Sequence, residues 1–207
     1  MIASLFNTPA RWRLAGLCAT LAMLEAACVS QQQKSEAIIE VSKAFRTDYE
    51  AILAEKGTRT FKVNRAEAFD AIRAGLARLG FLVESQDSAL GFLNVFAPAP
   101  RPLDLEEWRR AADADLPRMR ELARPHLGVL AEFIQFEPEG LQVVITATIL
   151  SANAGSEISL TARTREIAPP QSGMPRREYL PPSAVRHGLD KIWAAFEQEL
   201  RATPKKQ

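Results

Sequence analysis

The chain has 207 residues, with 26 Lys and Arg against 25 Asp and Glu, and 47% of it is hydrophobic. Such a balance excludes a general electrostatic attraction to nucleic acid or to an anionic surface, and the ordinary apolar content excludes both wholesale disorder and a polytopic membrane protein. A chain of this length buries about 70% of its unfolded surface and needs no disulfide staples; its two cysteines, Cys18 and Cys28, both lie near the N-terminus.

Residues 1–13 carry Arg11 and Arg13 and no acid, and Leu14 to Leu24 is an apolar run that includes Leu17, Ala19, Leu21 and Met23. Eleven residues are too few to span a bilayer comfortably but match the core of a signal peptide, and Ala26-Ala27 supplies the small residues that a signal peptidase requires. Residues 1–27 are therefore expected to be a leader and the protein to be exported. Cleavage there discards Cys18 and leaves Cys28 as the single thiol, so no internal disulfide is possible and the odd cysteine needs another use.

Leu24-Glu25-Ala26-Ala27-Cys28 resembles the lipobox of bacterial lipoproteins, with Glu25 standing where that pattern has an aliphatic residue. The resemblance implies acylation of Cys28, with each buried methylene of an acyl chain contributing about 0.8 kcal/mol to membrane anchoring. Val29 after the cysteine, in place of Asp, resembles the outer-membrane sorting pattern of Gram-negative lipoproteins. It implies a periplasm-facing protein whose first partner is the membrane itself, reached through the lipid.

Residues 28–34, with Gln31-Gln32-Gln33, read as a polar tether. Ile38, Val41, Phe45, Tyr49 and Ile52 then recur at helical spacing before Gly57, which predicts an amphipathic helix from Ser35 to Lys56 within the segment 35–57. Thr58 to Val63 alternates as a strand does. Asn64 with Glu67 makes a capping pattern for a helix with Phe69, Ile72, Leu76 and Leu79 on one face, stopped by Gly80. Two short apolar runs follow, Phe81 to Val83 and Leu90 to Phe96, and the polar stretch Ser85 to Ser88 between them predicts a hairpin.

The segment 98–127 is expected to be a helical insertion. Pro98, Pro100 and Pro102 disfavour strand and helix at its start. Asp104 with Glu107 forms a second capping pattern; Leu105, Trp108, Ala112 and Leu116 line a helix that Pro117 is expected to kink or end, with Met119 and Leu122 on a second piece. Trp108, Arg109, Arg110 and Met119 are the residue types of an interface core and form the candidate partner surface, the alternative being that Trp108 packs the insertion onto its own domain. Six arginines in this stretch are matched by six acids, which removes nucleic acid from consideration.

Ala131 to Phe136, Leu141 to Leu150 and Glu157 to Ile167 predict further strands, with Ile158, Leu160, Ala162 and Thr164 on the buried face of the last. After a loop rich in Pro and Gly, Ser183 is placed to cap a final helix whose apolar face holds Val185, Leu189, Ile192, Trp193, Phe196 and Leu200. Residues 203–207, with Lys205 and Lys206, read as a tail. The expected class is α+β: an antiparallel sheet of five to six strands with two helices on one face, spanning 58–202, plus the N-terminal helix and the insertion. The order of strand, helix, hairpin, strands and helix, carried by Ala68 to Gly91, resembles the helix-grip modules of Gram-negative envelope lipoproteins, including those of the C lipoprotein of the β-barrel assembly machinery. That resemblance implies a small binding or scaffolding domain with an envelope protein as partner, and the insertion at 98–127 departs from it.

Residue types for catalysis are sparse. His126 and His187 are the only histidines, and neither has metal-ligand spacing. No nucleophile elbow, zinc-protease or phosphate-loop motif is present, so no catalytic, cofactor or metal residue is assigned. Glu67 with Asp70, and Glu84 with Asp87, are the carboxylate pairs available for acid/base work, and both read as solvated faces. A non-catalytic lipoprotein that binds or scaffolds protein partners is thus expected. The alternatives are a carrier holding an apolar ligand between sheet and helix, and an envelope hydrolase.

Overall fold

The computed structural model describes residues 29–168 and 181–202. Within them the chain forms a five-stranded antiparallel sheet and four α-helices. In chain order these are α1 (Gln31–Lys56), β1 (Thr58–Phe61), α2 (Arg65–Arg78), β2 (Leu82–Asp87), β3 (Phe92–Pro98), α3 (Leu105–Leu127), a 3-10 turn (Gly128–Phe133), β4 (Leu141–Ala152), β5 (Gly155–Glu166) and α4 (Pro182–Ala202). The strand order is β1-β5-β4-β3-β2. Among the described residues no helix is long and apolar enough to cross a membrane.

The α+β class and the one-sided sheet follow from alternation. Ile158, Leu160, Ala162 and Thr164 on β5 are buried, as are Val143, Ile145, Ala147 and Ile149 on β4 and Leu93, Val95 and Ala97 on β3. These residues meet α2 and α4, which bring Phe69, Ile72 and Leu76, and Leu189, Ile192, Trp193 and Phe196, into one core. The helices approach closely because Gly75 has no side chain: a Cβ there would stand 3.1 Å from the main-chain nitrogen of Phe196. The other face of the sheet carries a run of polar bonds. Thr146 donates to Asn94, whose amide donates to Glu84, and Arg165 joins Glu84 to Gln142.

Helix α1 docks on α4 at its C-terminal end. The indole Nε1–H of Trp193 donates to the carbonyl of Lys56 at 2.7 Å, satisfying a group that the end of a helix leaves free, and the Lys56 ammonium pairs with Asp190 at 2.7 Å. Nearer its start α1 packs against α3, where Ala37, Phe45, Met119, Ala123, Leu127, Ala131 and Ile134 form a second, smaller apolar cluster.

Several boundaries differ from the sequence expectations. Helix α1 begins at Gln31, not Ser35, because Ser30 and Gln33 form a capping box, so most of the expected tether is helical. The hairpin turn falls at 88–91, since β2 continues through Ser85 to Asp87; Asp87 accepts the Leu90 N–H, and Gly91 closes the turn at φ 71°. Strand β2 is an edge strand with all six residues exposed, so α2 covers Phe81 but not Leu82 or Val83. Ala131 to Phe136 is not a strand: its first half belongs to the 3-10 turn, and Ala131 with the following Ile134 packs into the cluster between α1 and α3. Helix α3 runs unbroken through Pro117 and Pro125. Ser183 lies inside the first turn of α4, after Pro181 and Pro182, and does not cap it.

Candidate functional site

Helix α3 is fixed on three sides. Asp104 accepts the main-chain N–H groups of Glu106 and Glu107, and Glu107 in return accepts the Asp104 N–H, so the capping box expected from the sequence is formed. Those main-chain donors hold the Asp104 carboxyl below its usual range, and the Lys191 ammonium on α4, 2.6 Å from Glu107, does the same for Glu107. Farther along, Arg118 pairs with Asp48 on α1, and Asp115 binds Ser183 on α4. At the end of α3, His126 lies between Glu40 (2.9 Å) and Glu36 (3.4 Å) of α1. Both carboxylates favour its cation, the Glu40 hydrogen bond most, and raise its pKa above the ordinary imidazole value.

The candidate partner residues do not share one surface. Trp108 packs into the main core and Met119 into the second cluster, while Arg109 and Arg110 are exposed. Arg110 spends its charge on Glu106 one turn back at 3.4 Å. Cys28, the expected acylation site, lies outside the described residues, as do the leader, residues 169–180 and the tail 203–207.

What α3 does present is a groove of about 560 Å³ between its outer side and the irregular stretch 135–139. Trp108, Leu116, Phe136 and Pro138 give it apolar walls, and Asp113, Arg109 and Glu139 stand exposed around it. Phe136 is held there by stacking on Phe45, with ring centroids 5.8 Å apart. Two buried donors along this groove have no acceptor: the indole Nε1–H of Trp108, on a residue only 3% exposed, and the Nε–H of Arg120. The main-chain N–H groups of Gln135 and Phe136 form no hydrogen bond among the described residues. The apolar walls with a charged rim and a stretch of unpaired backbone at 135–136 make a trough suited to an extended, partly apolar segment.

Of these residues the sequence had singled out Trp108 and Arg109. Arg120, Gln135, Phe136 and Glu139 were missed because Ala131 to Phe136 alternates like a strand, which hid the groove wall inside an expected sheet. No signal in that stretch distinguishes the two outcomes.

Three of the four carboxylates weighed for acid/base work are engaged elsewhere: Asp70 faces Arg73 at 3.6 Å, Glu84 accepts from Asn94 and Arg165, and Asp87 holds the hairpin turn. His187 is exposed on α4. Among the described residues no group of three His, Cys, Asp or Glu side chains is placed to hold a metal ion. The layer between sheet and helices, where a carrier would hold an apolar ligand, is filled by Trp193, Phe196, Ile72, Leu76, Leu93 and Ile145, each under 2% exposed. Compared with protein-family models, with curated proteins and with solved structures, the chain matches none.

Proposed function

We propose that this chain is a lipid-anchored lipoprotein of the outer membrane, facing the periplasm, that binds an extended segment of an envelope protein in the α3 groove and acts by binding, without turnover. The cationic start, the apolar run to Leu24 and the small residues before Cys28 support the export and the anchor. The resemblance of Ala68 to Gly91 to helix-grip modules supports a binding role.

One observation carries the choice of the groove: Trp108, Leu116, Phe136 and Pro138 wall one trough, and along its edge the main-chain N–H groups of Gln135 and Phe136 form no hydrogen bond among the described residues. An extended peptide supplies a row of carbonyls at short spacing, and its own main chain pairs with a free stretch of backbone as an added strand does. Arg109, Asp113 and Glu139, which form no ion pair among the described residues, add charge selection at the rim.

The test is a photo-reactive side chain placed at Leu105, which borders the groove, and in parallel at Thr146 on the uncovered sheet face, each in native membranes. A defined partner captured from Leu105 but not from Thr146, and weakened by Trp108→Phe, is the expected result. Capture from Thr146 alone moves the interface off α3 and sinks the groove reading. The anchor is read separately, by mass spectrometry of residue 28 and by the loss of membrane fractionation in Cys28→Ser.

A further inference from the structure

Val129, Leu130 and Phe133 project from the 3-10 turn with 80%, 42% and 77% of their surface exposed. Ala131 on the same turn and Ile134 just after it face inward, buried in the cluster between α1 and α3. Three large apolar side chains exposed on a six-residue turn, two of them over most of their surface, mark a surface that meets something apolar.

The position of this tip says what it meets. Helices α1 and α3 run antiparallel: Asp48 pairs with Arg118, and eight or more residues toward the start of α1, Glu40 and Glu36 hold His126 near the end of α3. The start of α1 therefore lies at the end of the molecule where α3 passes into the 3-10 turn. Val29 confirms this placement by packing on the same small cluster as Leu127 and Ala131. Cys28 directly precedes Val29, so an acyl group on it is attached one residue from the cluster that Ala131 of the 3-10 turn joins. Ile39, 61% exposed between Glu36 and Glu40, adds a fourth apolar side chain to this end.

We propose that this tip is a second membrane contact: with Cys28 acylated, Val129, Leu130 and Phe133 enter the interfacial layer of the leaflet that holds the lipid. The inference rests on the lipid-anchor reading of Cys28. Arg124 pairs with Glu132 and His126 with Glu36 and Glu40, leaving Lys34 as the cation at this end without an ion pair among the described residues, so the contact rests on the apolar side chains and is expected to be little affected by salt. A second point of attachment beside the first fixes the orientation of the domain. Helix α1, about 39 Å long at 1.5 Å per residue, then carries its Lys56 end away from the bilayer surface.

The experiment uses the full acylated chain with Phe133→Trp, bound to phosphatidylethanolamine and phosphatidylglycerol vesicles that contain lipids brominated on the acyl chain. Trp108 and Trp193 are buried and serve as background in the parent chain. The expected result is a blue-shifted emission from position 133, quenched at least twofold by the brominated lipid and unchanged in 0.5 M salt. A control Leu150→Trp, on β4, is expected to show no quenching. An unquenched position 133 in a chain that sediments with the vesicles overturns the proposal and assigns the tip to a protein partner, with the anchor left standing. Quenching that salt abolishes also overturns it, because the contact is then electrostatic. Absence of acyl groups on residue 28 of the membrane-extracted protein overturns the anchor reading and this placement with it. In the Cys28→Ser chain, residual vesicle binding is expected to fall a further tenfold with Val129→Ser and Phe133→Ser combined.

Discussion

Asp115, halfway along α3, caps α4 through Ser183: one carboxylate oxygen accepts the Ser183 main-chain N–H at 2.8 Å and the other accepts its hydroxyl at 2.8 Å. The residue preceding α4 is Pro181, which has no side-chain oxygen to offer, and Pro182 contributes no N–H. The first turn of α4 is therefore completed from another helix. Asp115→Ala is expected to lower stability by about 1–2 kcal/mol, the range for a lost N-terminal cap, with Asp115→Asn recovering part of it. Urea unfolding of the full chain followed by circular dichroism measures both, and an unchanged midpoint for the alanine variant would show that the cap is idle.

Gly75 sets the distance between α2 and α4. Its missing Cβ would stand 3.1 Å from the Phe196 nitrogen and 3.2 Å from the Ala195 carbonyl carbon, and these are main-chain atoms of a helix pinned on its other side by Trp193. They have little room to retreat. Gly75→Val is expected to cost about 1–3 kcal/mol as overpacking, despite valine's better helix propensity. Thermal denaturation decides, with a raised melting temperature as the contrary result.

The His126 site gives stability a slope with pH. Hydrogen bonding to Glu40, then the charges of Glu40 and Glu36, raise its pKa in the folded protein above the unfolded value of about 6.5. Its contribution is thus fully present below about pH 6.5 and is lost as pH rises through the raised folded value. The α1–α3 contact should loosen across that interval on the alkaline side. His126→Gln is expected to flatten the slope, which amide hydrogen exchange at Glu36 to Val41, measured at pH 6 and pH 8, reports directly. Equal exchange in parent and variant at both values would remove the histidine from the account.

The buried face of the sheet was legible because one variable, alternation, decides it: Ile158, Leu160, Ala162 and Thr164 had only one way to face together. The apolar stripe of α4 was equally plain. Where two local rules competed, tertiary context chose. Ala131 to Phe136 has the composition of a strand, yet Ala131 on the 3-10 turn and Ile134 just after it pack into the α1–α3 cluster, and Phe136 is drawn to Phe45. Trp108 was visible as an aromatic on an amphipathic helix, but its burial together with an unsatisfied indole depends on where the 135–139 stretch lies. No spacing within α3 encodes that. Pro181, Pro182 and Ser183 look like the approach to a local cap, and the true acceptor is 68 residues away on another helix.

Pro117 is the clearest conflict between local rule and observed structure. A proline in a helix interior removes one hydrogen bond and costs about 3 kcal/mol relative to alanine, which is why the sequence pointed to a break there. Helix α3 continues because it is clamped on both sides of the proline, by Asp115 to Ser183 before it and by Arg118 to Asp48 after it. The carbonyl that loses its partner, that of Asp113, belongs to an exposed residue. Pro117→Ala is expected to restore the bond and raise stability by about 2–2.6 kcal/mol, less than the full 3 because proline also restricts the unfolded chain by about 0.4–1 kcal/mol. The gain should appear as a higher urea midpoint with an unchanged slope, since the fold and its buried area stay the same. A lower midpoint would mean that the proline's fixed backbone angle aligns the two clamps, making Pro117 a structural requirement of the groove.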